Sequence, residues 1–131
     1  MATQEKSAIR TERAPAPFQG APYSQAIRSG GFVFVSGQLG LKPDHAEISG
    51  SIEEQTEQIF ANLSAILDAA GTGLERLVKT TVFLADLGDF AAMNEVYARH
   101  VGETPPARAT VEVSALPSGA KLEIEAIALA G

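Results

Sequence analysis

Only two segments of this chain repeat hydrophobic residues at helical spacing, and this limits how much of a folded domain helices can cover. The first helix begins after Ser51, where Glu54 completes a capping box, and it ends at Gly71. The second runs from about Asp89 to Val101. Six strand-like segments surround the two helices. The sequence therefore predicts an α+β fold, in which both helices cover one face of a mixed sheet.

Glycine and proline separate the predicted strands. Gly30 and Gly31 tolerate the positive φ angles of a tight hairpin turn. The chain contains no linker or internal repeat, so residues 1–131 are predicted to form one domain, with residues 1–7 as a polar N-terminal tail. The predicted strands are Ala8–Glu12, Ser24–Arg28, Phe32–Ser36, Leu77–Ala85, Ala107–Leu116 and Leu122–Leu129.

Composition argues against several classes of site. The chain has no cysteine, and His45 and His100 lack the spacing of metal ligands, so neither thiol chemistry nor a metal site is expected. The net charge of −6 and the lack of a basic cluster disfavour nucleic-acid binding. No apolar run approaches the roughly 18 residues of a membrane span, and the polar start is unlike a signal peptide, so a cytoplasmic protein is expected.

The last two strands are polar on one side. Period-two geometry separates Arg108 and Thr110 from the alanine and valine residues of their strand, and Glu123 from its leucine and isoleucine neighbours. We expect the apolar sides to meet the helices. The second face of the sheet also needs cover, and another copy of the chain is the economical choice. The alternative is a solvated face with cross-strand ion pairs such as Lys121 with Glu112.

Arg108 is the first candidate for function. It follows Pro105-Pro106-Ala107, whose restricted backbone fixes where the strand begins. A guanidinium group is permanently charged and matches a carboxylate with two parallel hydrogen bonds. A rigidly held arginine therefore suits a small carboxylate ligand. The alternative is an ion pair with Glu112 or Glu123.

Glu123 is the second candidate, because a partly buried carboxylate can act on water as a general acid or base. Glu125 shares its side of the strand and competes for this role. The alternative for Glu123 is a structural ion pair with Lys79 or Lys121.

Tyr23 and Ser36 are candidates for contact with a ligand. Tyr23 follows a proline, so it could close over a pocket, or pack on the surface as an ordinary loop tyrosine. Ser36 ends an apolar strand, so its hydroxyl could meet a ligand, or cap the backbone at the strand end.

Seven segments, taken in order, resemble those of the Rid family, the reactive intermediate deaminases. The resemblance runs from about Ala14 to Ala128. It implies a chorismate-mutase-like fold and a homotrimer with active sites in clefts between subunits. It also implies cofactor-free hydrolysis of a 2-imino or enamine acid to a 2-keto acid and ammonia. The segments are Ala21-Pro22-Tyr23-Ser24-Gln25-Ala26, Val35-Ser36-Gly37-Gln38, Val78-Lys79-Thr80-Thr81-Val82-Phe83-Leu84, Asp86-Leu87-Gly88-Asp89-Phe90, Pro106-Ala107-Arg108, Val111-Glu112-Val113 and Leu122-Glu123-Ile124-Glu125-Ala126-Ile127-Ala128.

The resemblance assigns roles to four of the residues already singled out. Arg108 matches the arginine that holds the substrate carboxylate, and Glu123 matches the glutamate that positions the attacking water. Tyr23 and Ser36 match pocket residues near the imine.

Two more residues enter through the resemblance alone. Asn94, in the second helix, matches an asparagine near the cleft. Thr110 stands where the deaminase subgroup often has cysteine, and its backbone is expected to matter more than its side chain. Ala21 replaces a frequent glycine and Gly40 a frequent proline, so the subgroup and the substrate range stay open.

Other functions also stay open at this point. One is a pathway-specific deaminase acting on a larger enamine acid such as an aminomuconate. Another is a metabolite-sensing or chaperone-like binding protein without turnover. Family members have also been described as endoribonucleases, a role that the net charge of −6 disfavours.

Overall fold

Six strands form one mixed sheet in the computed structural model, which describes residues 5–44, 47–48 and 50–131. The strands and helices are β1 Ser7–Ile9, β2 Ala26–Ser29, β3 Phe32–Gln38, α1 Ile52–Ala69, β4 Leu77–Leu84, α2 Phe90–Val101, β5 Ala107–Glu112 and β6 Leu122–Leu129. They lie in the order β1-β2-β3-β6-β4-β5. β4 and β5 pair in parallel, and the other neighbours pair antiparallel.

Short sequence motifs explain where α1 begins and where the chain turns between β2 and β3. The Ser51 hydroxyl accepts a hydrogen bond from the Glu54 amide at 3.1 Å, and the Glu54 carboxylate accepts one from the Ser51 amide at 3.0 Å. This is the predicted capping box at the start of α1. Gly30 and Gly31 have φ angles of 59° and 86°, which confirms the predicted tight turn between β2 and β3.

Both helices pack on one face of the sheet, as the sequence predicts. The strands present a continuous apolar layer to them, and the helices bury their own hydrophobic stripes against that layer. The largest fully buried side chains of this core are Phe60, Ile59, Leu63, Ile66, Leu67, Leu84, Met93, Leu122, Ile124, Val33, Val82 and Val96.

The opposite face of the sheet, which we name the open face, carries large apolar side chains that the single chain does not cover. Phe32 and Phe34 of β3 are 39% and 43% exposed, Val111 of β5 is 42% exposed, and Leu129 of β6 is 36% exposed. Exposed apolar side chains on one face of a sheet, such as the paired Phe32 and Leu129, are typical of an interaction face rather than of a solvated sheet.

The expected orientation of β5 is wrong. Arg108 and Thr110 point to the helix side of the sheet, while Ala109 and Val111 lie on the open face. The register explains this, because Arg108 lies directly beside the buried Thr80, and side chains opposite one another on paired strands share a face. β5 is an edge strand, so its apolar side lies on the open face rather than beneath a helix.

The expected ion pair between Lys121 and Glu112 is also wrong. β4 lies between β5 and β6, so these residues are not cross-strand neighbours. The Glu112 carboxylate instead accepts a hydrogen bond from the Leu87 amide at 2.9 Å.

Several boundaries of the predicted strands differ from the structure, including those of β2, which runs Ala26–Ser29, and of β4, which ends at Leu84. β1 includes Ser7 of the predicted tail and ends at Ile9, because the buried Gln25 side chain then takes over the backbone groups of Thr11. β5 ends at Glu112, since its partner β4 ends beside it, and β3 continues to Gln38. Residues 1–4 of the predicted tail and His45 lie outside the described residues.

No helix in residues 5–44, 47–48 and 50–131 is both long enough and apolar enough to cross a membrane.

Replacing Ser51 with alanine tests the cap that begins α1. The change removes the acceptor for the Glu54 amide, so we expect a loss of about 1 kcal/mol in the free energy of unfolding, measured by urea denaturation at fixed protein concentration. Ser64→Ala, at an exposed position inside the same helix, is the control and is expected to change stability by less than about 0.5 kcal/mol. Equal losses in both variants would contradict the capping role.

Candidate functional site

A cavity of about 460 Å³ lies where the loop before β2 meets the end of β3 and the start of β6. Tyr23, Ser36 and Glu123 line it together with Gly37 of β3, and we name these four residues the Glu123 pocket. The cavity therefore brings together three of the predicted site residues. Apolar side chains form much of the remaining wall, including those of Phe18, Leu39, Leu41 and Pro117.

A bulge in β3 creates room for the Glu123 carboxylate. Val35 pairs with Ala126 and Gln38 with Ile124, so two residues of β3 oppose one residue of β6. Gly37 is one of these two residues. A Cβ at this position would lie 2.8 Å from the Glu123 Cδ and closer still to its Oε2, so only glycine leaves the carboxylate in this place.

The Glu123 carboxyl is half-buried, and burial raises its pKa above the ordinary value of 4.5, with the negative charge of Glu125 raising it further. Neither Lys79 nor Lys121 forms an ion pair with it in the described part of the chain. The structural ion pair considered as the alternative for Glu123 is therefore not present there. A carboxyl whose pKa moves toward neutrality exchanges protons more readily at physiological pH.

Tyr23 and Ser36 are both held by the backbone around the cavity. The Tyr23 hydroxyl accepts a hydrogen bond from the Phe18 amide at 2.5 Å, and this closes the loop that forms one wall. The Ser36 hydroxyl donates to the Ser24 carbonyl at 2.6 Å. Ser36 thus makes the backbone contact expected of a strand-end serine while it also lines the cavity, and its oxygen keeps lone pairs for a ligand.

Arg108 lies elsewhere, on the helix side of β5. Its Cζ is 4.7 Å from the centroid of the Tyr97 ring and 5.5 Å from that of Phe90. Neither Glu112 nor Glu123 pairs with it, and no described carboxylate makes an ion pair with its guanidinium. The expected alternative for Arg108 is therefore wrong, and among the described residues no acid engages its donors.

Asn94 and Thr110 accompany Arg108. Asn94 lies between Phe90 and Tyr97 on one face of α2, and Thr110 lies two residues beyond Arg108 on the same side of β5. Asn94 Oδ1 and Thr110 Oγ1 are both buried without a hydrogen-bond partner. We name Arg108, Thr110 and these three α2 residues the Arg108 cluster. Buried polar atoms without partners are uncommon, and a water molecule, a ligand or another chain is expected to complete their contacts.

The two groups lie on opposite faces of the sheet within one chain. Arg108 lies beside Thr80 on the helix side, and Glu123 lies beside Phe83, three residues further along β4 and so on the other side. A single copy therefore does not direct Arg108 and Glu123 at one small molecule.

Sequence reasoning missed three residues that shape these groups. Phe90 and Tyr97 share a helical face, which indicates a core stripe as readily as a support for an arginine. Gly37 carries a clearer signal, since a glycine inside an apolar strand is typical of a bulge or a close approach.

Comparison with known proteins agrees with the fold. Residues 11–130 match the family model described as endoribonuclease L-PSP. A RutC family protein of Pyrococcus horikoshii is 52% identical over 94% of this chain and 97% of its own length. The mouse 2-iminobutanoate/2-iminopropanoate deaminase is 43% identical over 96% of this chain and 93% of its own. The crystal structure of Escherichia coli TdcF with bound serine superposes with a TM-score of 0.88 at 41% identity, over 95% of this chain and 98% of that one.

Replacing Glu123 with glutamine tests the environment of the carboxyl. Because its pKa is raised in the folded state, the folded protein binds more protons than the unfolded chain between the two pKa values, and this contribution to stability is lost as pH rises through the folded pKa. We therefore expect Glu123→Gln to have a higher melting temperature than wild type at about pH 8, and a similar one below the ordinary pKa of 4.5.

The control for this experiment is Glu12→Gln, which removes the same charge at an exposed position. Its difference from wild type is expected to vary little with pH. A Glu123→Gln variant that melts below wild type at both pH values would mean that the carboxylate is stabilised rather than penalised by its surroundings.

Proposed function

Because the chain belongs to the endoribonuclease L-PSP family, the family of the RutC and Rid proteins, we propose that it is a cofactor-free deaminase of 2-imino and enamine acids. The products are a 2-keto acid and ammonia. Relatives named as imine deaminases support this chemistry. The structural observation that carries the proposal is the guanidinium of Arg108, which is held against aromatic rings and has no carboxylate partner among the described residues.

Arg108 would hold the substrate carboxylate. A free, oriented guanidinium binds a carboxylate through two parallel hydrogen bonds, and this contact fixes both the position and the rotation of a small organic acid. The neighbouring Asn94 and Thr110 each offer a buried polar atom that lacks a partner. Bound serine in the TdcF structure supports a small ligand that carries a carboxylate.

Glu123 would handle the proton of the attacking water. The water oxygen adds to the carbon of the protonated C=N group while its proton passes to the Glu123 carboxylate, and a tetrahedral amino alcohol results. Glu123 then returns the proton to the nitrogen, the C–N bond breaks, and the remaining hydroxyl proton is lost as the C=O bond forms. In the net reaction, one imine and one water molecule are converted to one ketone and one ammonia molecule. An iminium carbon is already electrophilic, so positioning supplies most of the catalysis.

We further propose that the working form is a homotrimer with its sites between subunits. Arg108 and Glu123 lie on opposite faces of one sheet, and the open face carries exposed Phe32, Phe34, Val111 and Leu129. A second copy would cover these apolar residues and supply the missing half of each site. One sheet and one buried cluster support a single domain over residues 1–131, and the cytoplasmic location stays a prediction.

Two related functions differ from this proposal in ways that an assay separates. A pathway-specific enzyme would prefer a larger enamine acid, and a series of substrates of increasing size reveals that preference. A binding protein would take up keto acids without accelerating hydrolysis. The endoribonuclease activity in the family description is not proposed here, because the net charge of −6 disfavours binding to a phosphate backbone.

Replacing Arg108 with alanine tests the carboxylate contact. When 2-iminobutanoate is generated by a threonine dehydratase, wild-type protein should accelerate the release of keto acid and ammonia, and Arg108→Ala should reduce that acceleration by roughly a hundredfold or more. Arg99→Ala removes an exposed arginine paired with Glu57 at 3.6 Å, and it should retain activity. Full activity in Arg108→Ala with unchanged assembly would rule out the proposed contact.

Mixing two inactive variants tests whether separate copies supply Arg108 and Glu123. Arg108→Ala and Glu123→Gln chains are unfolded together and refolded in equal amounts, so random assembly leaves about one site in four with both residues intact. We expect about a quarter of wild-type activity from the mixture. Each variant refolded alone is the control and should stay inactive. An inactive mixture that has demonstrably co-assembled would contradict a site shared between copies.

A further inference from the structure

We propose that Tyr97 is a positioning residue that orients the Arg108 guanidinium for carboxylate binding, through the face of its ring rather than through its hydroxyl. The inference rests on the proposed function in that the bound group is taken to be the carboxylate of a 2-imino or 2-keto acid. Tyr97 lies in the second helix, two turns after Phe90, and it is nearly buried, with 5% of its surface exposed.

The ring of Tyr97 lies directly against the guanidinium. Arg108 Cζ is 4.7 Å from its centroid, within the range of a favourable cation–π contact, and it is 5.5 Å from the centroid of the Phe90 ring. Phe90 is 41% exposed, whereas Tyr97 is buried in the core and is the nearer of the two rings. Tyr97 is therefore the member of the pair that can define where the guanidinium lies.

A buried hydrogen bond fixes the Tyr97 ring. Its hydroxyl lies 2.6 Å from the hydroxyl of Thr80, a residue that is 1% exposed. Thr80 is the residue of β4 directly beside Arg108 in the register of the two strands. Thr80 thus contacts Tyr97 through its hydroxyl and pairs with Arg108 through its backbone strand. Both side chains are therefore positioned by the same residue of β4.

The Tyr97 ring also packs against the core between the two helices. The Phe60 ring meets Tyr97 edge-on, with centroids 5.4 Å apart and an interplanar angle of 82°. Phe60 itself stacks on the His100 ring at 4.6 Å. Packing from Phe60 and the hydrogen bond from Thr80 leave the Tyr97 ring little freedom to turn.

An aromatic ring beside the Arg108 guanidinium leaves its N–H donors available, whereas a carboxylate in the same place would occupy them. A carboxylate partner would occupy two of the five N–H donors of Arg108 and compensate its charge. A ring face orients the cation by its electrostatic quadrupole and by packing, and leaves the donors in the guanidinium plane available. Tyr97 thus reduces the freedom of a long side chain before binding without using the groups that bind, and this preorganisation raises affinity for a carboxylate.

Binding of 2-ketobutanoate, measured by calorimetry, tests this role without requiring turnover. Tyr97→Leu removes the ring and is expected to weaken binding about tenfold. Tyr97→Phe keeps the ring and loses only the hydroxyl, so it should restore binding to within about threefold of wild type. Leu67→Ala is the control, because it removes a fully buried side chain in the last turn of α1 that belongs to neither the Arg108 cluster nor the Glu123 pocket. It should lower the melting temperature and leave the affinity close to that of wild type.

The outcomes separate this inference from the proposed function. Wild-type affinity in Tyr97→Leu, or an equal loss in Leu67→Ala, would overturn the positioning role even if imine hydrolysis by wild type is clear. Keto-acid binding by wild type with no acceleration of imine hydrolysis would overturn the proposed enzyme while leaving the Tyr97 comparison valid. A wild-type protein that binds no 2-ketobutanoate would overturn both. Assembly of every variant is checked by gel filtration.

Discussion

The register of β4 with its two neighbours is the constraint on which the site depends. Pairing with β5 puts Arg108 beside Thr80, and pairing with β6 puts Glu123 beside Phe83. Three residues separate Thr80 and Phe83, and an odd separation along a strand means opposite faces. A shift of either pairing by one residue would bring both charged groups to one side and would also move the buried face of that strand into solvent. The core therefore enforces the separation of the two groups.

Each charged group is held by contacts that leave its chemistry available. Arg108 rests on aromatic rings rather than on an acid, and Glu123 lies over Gly37 with no described lysine or arginine beside it. Both arrangements cost stability compared with a simple ion pair, because each charge is partly desolvated without compensation. In the proposed reaction the substrate carboxylate compensates Arg108, and the raised pKa of Glu123 assists proton transfer. The cost in folding is thus consistent with a functional use of both groups.

Much of the fold could be predicted from the sequence, because local signals fix it. The capping box at Ser51 and the double glycine of the hairpin each specify one conformation within a few residues, and the structure has both. The orientation of β5 could not be predicted in this way. Its alternation is clear, but which side meets α2 depends on pairing with β4, a contact between residues far apart in the sequence. An edge strand whose apolar side lies on the open face inverts the usual rule that apolar residues meet the helices.

The candidate site likewise has features that short sequence motifs predict and features that depend on contacts between residues far apart in the sequence. The spacing of Pro105, Pro106 and Arg108 is visible in the sequence, whereas the support from Tyr97 requires the helix to be docked on the sheet. The bulge at Gly37 is a local feature of β3. Its role depends on a distant residue, because the Glu123 carboxylate occupies the space that a Cβ at position 37 would fill. On the proposed function each copy presents one half of the site on each face, so a second copy would both compensate the charged groups and cover the exposed apolar residues. On the proposed function, association of copies covers the open face and joins the two halves, so the interactions that stabilise the assembly are also those that create the active site.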